Sequence, residues 1–400
     1  MSKHLEKYLH TYAEAEVNGL SGLTFAKRYQ RVLVIPAFDE SPDFLQRLLF
    51  SNFEHLSVLL ILVNNQPDDH VDCSKQKQLY QFLLNNKSKH QHHKNLTLLS
   101  FPFCQHDILH VNRYNTPIEK EKGVGLARKI GADLALSLIC QSIIADRWIY
   151  SSDADATLPA NYFSALPHLP NTAVAACFDF YHHSPQQDIH QANAIYEKAL
   201  RYYVKGLEYA GSHYAFFTIG STLAFDHQSY AMARGFPTRS AGEDFYLLNK
   251  VAKLGQVHFI DSVQIKIDAR TSNRVPFGTG PAVKEIMDLH ANGEEYCYYH
   301  PQLFEQLKLV LDQSATLAHC RDDITAWLTS LPESSAQALT DIGFIKFIEK
   351  NRTSKPTQFD KQWAVWFDAF KTLRFLHQLR QYEFPNVPLA QGISMASFNI

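Results

Sequence analysis

Fully apolar runs alternate along the chain with segments whose apolar residues recur every three or four positions, and this alternation predicts an α/β fold built on a parallel sheet. Val32 to Ala37 (V-L-V-I-P-A) is the first such run, and Ser41-Pro42 then opens a helix through Phe50. Ser57 to Val63 (S-V-L-L-I-L-V) repeats the strand, with the polar N-N-Q-P-D-D at its C-terminal end, where open α/β sheets bind ligands. Later strands are predicted over 96–103, from Trp148 toward Asp153, and over 172–180, 215–225 and 257–267. Helices are predicted over 74–84, 121–136 and 188–209 and from Glu243 onward, and Lys87 to Lys94 (K-S-K-H-Q-H-H-K) reads as a solvated loop.

Both ends of the chain follow a helical period. Leu5, Leu9, Tyr12 and Val17 mark a short amphipathic helix ahead of the sheet, and from about Glu285 the chain is helical and aromatic. In Trp363 to Leu379, Trp363, Trp366, Phe367, Phe370, Leu373, Leu376 and His377 keep helical spacing, which suits core packing first and a dimer or peripheral membrane face second. The expected organisation is an N-terminal helical segment (1–30), an α/β domain (31–284) and a mainly helical C-terminal region (285–400).

Composition narrows this picture. With 400 residues, 46% of them hydrophobic and 20% charged, and a net charge of −2, the chain can bury more than one core and has no basic field for nucleic acid. Six cysteines scattered through apolar segments suit a reduced compartment, so the expected location is cytoplasmic, and no apolar run is long enough to span a bilayer. Cys104, His106 and His110 lack zinc-ligand spacing.

The candidate chemistry is carboxylate chemistry. In W-I-Y-S-S-D-A-D-A-T-L-P (Trp148 to Pro159) an apolar strand runs into Asp153 and Asp155, which strand alternation places on one side. Two carboxylates held together repel each other unless a cation joins them, so the pair is either a metal site or a strained one. Glu243 and Asp244 stand at a helix start, where an anion is favoured. E-K-G-V-G-L-A-R-K (Glu121 to Lys129) is not a dinucleotide fingerprint, because the polar N-R-Y-N-T-P-I-E-K separates it from any strand. It reads as a helix whose first glycines admit a close approach, with Lys122 and Arg128 as candidate phosphate partners. Residues 268–281 read as a functional loop with Arg270 and Arg274 available to an anionic ligand.

Four segments in order, V-I-P-A-F-D-E, V-N-N-Q-P-D-D, S-D-A-D-A-T-L-P and G-F-P-T-R-S-A-G-E-D-F-Y-L-L, resemble the family 2 glycosyltransferases of bacterial type over roughly residues 30 to 280. The resemblance implies a GT-A fold, Rossmann-like, with a mostly parallel mixed sheet flanked by helices and here a C-terminal helical extension. It implies a nucleotide-diphosphate sugar donor held by Pro36, Ala37, Glu40 and Asn65 at the base and ribose, and Mg²⁺ or Mn²⁺ at Asp153 and Asp155, with Asp155 the direct ligand. It also implies Asp244 as general base for an inverting transfer to an acceptor hydroxyl. The family usually carries an aspartate in the second loop where this chain has Asn64 and Asn65; an amide oxygen would still accept a bond from a base N–H. Rival readings are a retaining transferase of the same fold, a sugar-phosphate nucleotidyltransferase, which should carry a Gly-rich loop after the first strand, and a non-catalytic nucleotide-sugar binding module. The acceptor, whether glycan, lipid or small molecule, is not written in the sequence.

Overall fold

The computed structural model describes residues 2–66, 74–85, 89–102, 104–270 and 278–400. The chain divides into two compact units, the first holding residues up to Ser184 together with Thr218–Ala269, the second Pro185–Phe217 and Gly278–Ile400.

The first unit is a sheet of β1 (Arg31–Phe38), β2 (Val58–Asn65), β3 (Lys89–His93), β4 (Leu96–Ser100), β5 (Asp107–Arg113), β6 (Trp148–Ser151), β7 (Ala156–Thr157), β8 (Ala173–His183), β9 (Leu223–Asp226) and β10 (Gln256–Asp268). The order is β3-β4-β5-β2-β1-β6-β9-β8-β10-β7. Pairing is parallel from β5 through β2 and β1 to β6 and again between β8 and β10. It is antiparallel elsewhere, so the sheet is mixed, as expected. The unbroken apolar runs fall where a sheet covered on both faces needs them: every residue of β2 and Val32 to Ile35 of β1 are buried.

The helices α1 (Lys3–Thr11), α2 (Asp43–Leu49), α3 (Ser74–Asn85) and α4 (Gly123–Cys140) precede α5 (Gln187–Tyr209) of the second unit; α6 (His227–Met232) and α7 (Glu243–Val251) return to the first. α4 packs on the parallel centre against β1, β2 and β6. Residues Gly125 to Leu138 of α4 are all buried, which is why the helix is apolar nearly all round. Gly131 lies close against the sheet, where an added Cβ would lie 2.4 Å from Val34 Cγ1.

Several expected elements differ. The polar run 87–94 contains strand β3, hairpin-paired with β4, and the Gln91 side chain holds it by accepting from Thr24 N–H and donating to Thr24 O, both at 2.7 Å. β5 has no counterpart in the sequence reading, because Asp107 and His110 interrupt its apolar pattern. Both are buried, and Asp107 accepts from Tyr29 Oη at 2.6 Å. Of the strand expected over 215–225, only β9 forms, after a 3₁₀ turn at Gly220–Thr222. The N-terminal helix stops at Thr11 and gives way to a 3₁₀ segment, Ala15–Gly22.

The second unit continues with α8 (Thr279–Ala291), α9 (Gln302–Ser314), α10 (Leu317–Cys320), α11 (Ile324–Thr329), α12 (Glu333–Asp341), α13 (Phe344–Asn351), α14 (Pro356–Trp366), α15 (Ala369–Tyr382) and α16 (Leu389–Met395). Its core gathers Leu303, Phe304, Phe344, Phe359, Phe375 and Leu379 with the α5 side chains Ala199, Tyr202 and Leu207. The single helix expected over 363–379 is two: Asp368 accepts from Lys371 N–H at 3.0 Å and caps α15. Beside the break the rings of Trp363 and Phe367 lie parallel at 4.9 Å. Core packing of this stretch, the favoured reading, holds for Trp363, Phe367 and Leu376, whereas Phe370 is 39% exposed. No helix of the described residues is long and apolar enough to cross a membrane.

Gly131 gives a direct test of how tightly α4 is seated. Alanine there gains about 1 kcal/mol of helix propensity but drives a methyl into a β-branched side chain that cannot rotate away, an overpacking cost of about 1–3 kcal/mol. Gly131→Ala is expected to be net destabilising in urea unfolding, and Val34→Ala in the same chain is expected to reverse the sign of its effect.

Candidate functional site

β6 ends at Ser151, and the chain then turns with Ala156 N–H on Asp153 O at 3.1 Å before β7 joins β10. Asp268 N–H donates to Asp155 O at 2.9 Å, fixing the far side of the turn. Asp153 and Asp155 are both half-buried. They lie in the turn and not in the strand, so strand alternation, on which the sequence reading relied, does not set their directions.

The cation beside Asp153 is Arg128. From the second turn of α4, with the residue 3% exposed, its guanidinium donates through Nη2 to both Asp153 oxygens at 2.7 and 2.9 Å. Nη1 reaches Ser151 Oγ and Nε reaches Glu243 Oε1, each at 2.8 Å. Burial works against the charge, but Asp153 and Glu243 raise the guanidinium above its ordinary value. One side chain thus joins the D-x-D turn to the E-D motif about ninety residues later. Space for it comes from Gly220, where a Cβ would stand 2.3 Å from Nη2. Neither Gly220 nor Ser151 is signalled by the sequence, since small residues in an apolar stretch have many uses.

Glu243 and Asp244 open α7 behind Gly242. Glu243 is buried on Arg128, whereas Asp244 is half-buried, and its Oδ1 accepts from its neighbour Phe245 N–H at 2.7 Å. Desolvation and then the Glu243 charge push the Asp244 carboxyl up to about 7, against the pull of the Phe245 N–H and of Arg128.

The close approach expected at the α4 glycines is made by the chain itself. Gly125 N–H donates to Arg239 O at 3.0 Å, and a Cβ there would fall 2.4 Å from Pro237 O. Lys122 pairs with Glu119 at 2.9 Å on the surface.

At the ends of β1 and β2, Pro36 is half-buried and Ala37 buried. Ala37 O and Glu40 N–H are both held by the amide of Gln76, at 3.4 and 3.2 Å. Those two backbone groups fix which end of the Gln76 amide is nitrogen, and that nitrogen also donates to Asn64 Oδ1. Asn65 Oδ1 accepts from Ile118 N–H at 2.8 Å. Both amide oxygens expected to be available to a base N–H therefore already accept a bond from the protein. Arg270 follows β10 by two residues, and Arg274 lies outside the described residues, as do Asp68 and Asp69. Among the described residues no group of three or more His, Cys, Asp or Glu side chains could hold a metal ion.

No protein-family model matches the chain, and no curated protein matches it. Solved structures similar in fold include TarS residues 1–349 of S. aureus in complex with UDP-GlcNAc, 7% identical, covering 84% of this chain and 91% of that one with a TM-score of 0.38. The mannosyltransferase PcManGT of Pyrobaculum calidifontis in complex with GDP-Man and Mn²⁺ is 15% identical, covering 92% and 95% with a TM-score of 0.35. GalNAc-T7 with UDP, GalNAc and Mn²⁺ is 11% identical, covering 84% of this chain and 56% of that one with a TM-score of 0.35.

The raised Asp244 carboxyl makes a prediction about stability. Its folded value of about 7 lies above the ordinary 3.8, so the folded chain holds this proton more tightly than the unfolded chain does. The resulting penalty is absent below pH 4, grows as pH rises through that interval and is complete above 7. Asp244→Asn is expected to be more stable than the parent above pH 7, by roughly 1–3 kcal/mol. It should lose that advantage toward pH 4, as urea unfolding across pH would show; an advantage independent of pH would contradict the cause given.

Proposed function

We propose that the protein is a nucleotide-sugar-dependent transferase, and more particularly an inverting glycosyltransferase of the family 2 type that passes a sugar from a nucleoside diphosphate to an acceptor hydroxyl. The observation that carries this reading is the Arg128 guanidinium bonded to both Asp153 and Glu243. It brings together the two carboxylate motifs that such a reaction needs.

Asp153 and Asp155 offer hard oxygen donors, too few to hold an ion alone and suited to one that arrives with diphosphate oxygens. When bound there, Mg²⁺ or Mn²⁺ would supply charge neutralisation for the departing diphosphate. Arg128 is a positioning residue in this scheme: four of its five N–H groups are taken by Glu243, Ser151 and Asp153, and two of those bonds orient the Asp153 carboxylate. Lys122, Arg270 and Arg274 are the cations proposed for the diphosphate on the strength of the sequence. Pro36, Ala37, Glu40 and Asn65 serve the base and ribose.

Asp244 acts as the base. As the acceptor oxygen bonds to the anomeric carbon, its proton passes to the Asp244 carboxylate, and the bond to the diphosphate breaks with its electron pair on the leaving oxygen. A carboxyl that titrates at about 7 suits this task, because it is substantially ionised at neutral pH and still basic enough to take the proton.

Saturating UDP-, GDP- and dTDP-sugars with Mn²⁺ provide the first test. One of them is expected to raise the melting temperature, and that rise should vanish on chelation; no metal-dependent shift with any donor would remove the assignment. With the donor in hand, Asp244→Asn is expected to lower kcat by roughly 10²–10⁴-fold while leaving the donor-induced shift nearly intact. Retained turnover in that variant would take the base role away from Asp244.

A further inference from the structure

α1 is tied to the centre of the first unit by a buried carboxylate that the reaction does not use. Asp133, 0% exposed and on α4, accepts from Tyr8 Oη of α1 at 2.7 Å and from Tyr230 Oη of α6 at 2.9 Å on one oxygen. On the other it accepts from Lys129 Nζ at 2.6 Å and Glu14 N–H at 2.9 Å. Lys129, the neighbour of Arg128, also donates to Tyr12 O at 2.7 Å. Below the two tyrosines runs Gly235, where a Cβ would stand 2.3 Å from Tyr8 Oη and 2.8 Å from Tyr230 Oη. The chain from Gly235 passes over Gly125 at Pro237 and Arg239 and reaches Glu243. The Asp133 cluster therefore belongs to one of the strips of backbone that carry the ends of the Arg128–Glu243 pair, α4 itself, and packs through its two tyrosine hydroxyls against the other, the 235–242 connection into α7, at Gly235.

We infer that Tyr8 is a positioning residue of the site, setting α4 and the 235–242 connection against each other through Asp133 so that Arg128 stays between Asp153 and Glu243. The inference rests on the transferase reading for its consequence in turnover, but its structural half stands without that reading. A tyrosine used only to anchor the N-terminal helix would affect stability alone. A tyrosine that fixes the registration of these two strips must also alter the backbone bond between them, Gly125 N–H to Arg239 O at 3.0 Å, and with it the geometry of transfer. Misplacement on the ångström scale is enough to slow an oriented reaction on the order of a hundredfold.

Tyr8→Phe removes one hydroxyl and leaves Asp133 with its other three donors, so the chain is expected to fold. Hydrogen exchange is expected to show the Gly125 amide and its neighbours losing protection, while amides of the distant hairpin strand β4, such as Leu98, keep theirs. In transfer assays well below the melting temperature, kcat is expected to fall on the order of tenfold, with the donor KM nearly unchanged. Wild-type exchange at Gly125 in a Tyr8→Phe protein would overturn the inference, and so would loosened exchange with wild-type kcat. If the parent protein transfers no sugar at all, the transferase reading fails, and the exchange result alone decides whether Tyr8 positions these strips.

Discussion

A guanidinium with almost no access to water must be neutralised where it stands, and in this chain that requirement joins three distant pieces of sequence. Arg128 carries its charge into the space between the β6–β7 turn and the start of α7. Losing the solvation of such a group costs several kcal/mol, which is offset only when every N–H finds an acceptor and the counter-charges are close. Asp153 meets it with both oxygens, Glu243 with one, and Ser151 Oγ takes an N–H that a carboxylate does not reach. Take either acid away and the guanidinium keeps one counter-charge but is left with buried N–H groups that have lost their acceptor, which typically costs about 1–3 kcal/mol and more for a charged group. The two acidic motifs are thus held together by a side chain that the packing of α4 on the sheet puts in place.

The packing around α4 follows from the same demand. Arg128 can lie flat over the Gly220 turn only because that residue has no side chain, and the helix can approach the sheet only because Gly131 faces Val34. Glycine in a helix interior costs about 1 kcal/mol relative to alanine, so a helix that keeps Gly125 and Gly131 in its buried stretch gains more from proximity than it loses in propensity. In the sequence the helix's first glycines, Gly125 among them, read as admitting a close approach. What enters is the chain itself, at Pro237 and Arg239, and the result is a closer junction between α4 and the segment that delivers Glu243 and Asp244.

How much of this was legible in the sequence depended on whether one residue's environment was local. β1 and β2 were legible because unbroken apolar runs have few other uses, and D-x-D and E-D were legible as a spaced pair. β5 was not, since a strand containing Asp107 and His110 is recognisable only when Tyr29 is known to satisfy the carboxylate. β3 was hidden for a related reason: its polar residues sit at a sheet edge, where Gln91 bonds to Thr24 backbone from far away in sequence. Arg128, Asp153 and Glu243 were each singled out, but their pairing was not, because a cation one turn into a helix looks the same whether it faces a phosphate or two acids of the chain itself. The break between α14 and α15 was masked by side chains that keep a helical period across it, with only the Asp368 cap as a local sign.

The same accounting explains why three acids near one cation are not equivalent. Arg128 gives four of its five N–H groups to Asp153, Glu243 and Ser151, and Asp244 receives its field without a recorded bond. Burial then raises the Asp244 carboxyl most, and Glu243 and, less, Asp153 add to it as like charges; its own neighbour's N–H is too little to restore an ordinary carboxylate. Two of the three carboxylates are bonded to the guanidinium, and the third, Asp244, is left with its carboxyl raised to about 7. That division of labour comes from which acceptors a single guanidinium's bonded N–H groups reach and from the place where α7 begins. A lysine at position 128, with three donors on a point charge and no planar fork, could not serve two carboxylates and a hydroxyl from one fixed position.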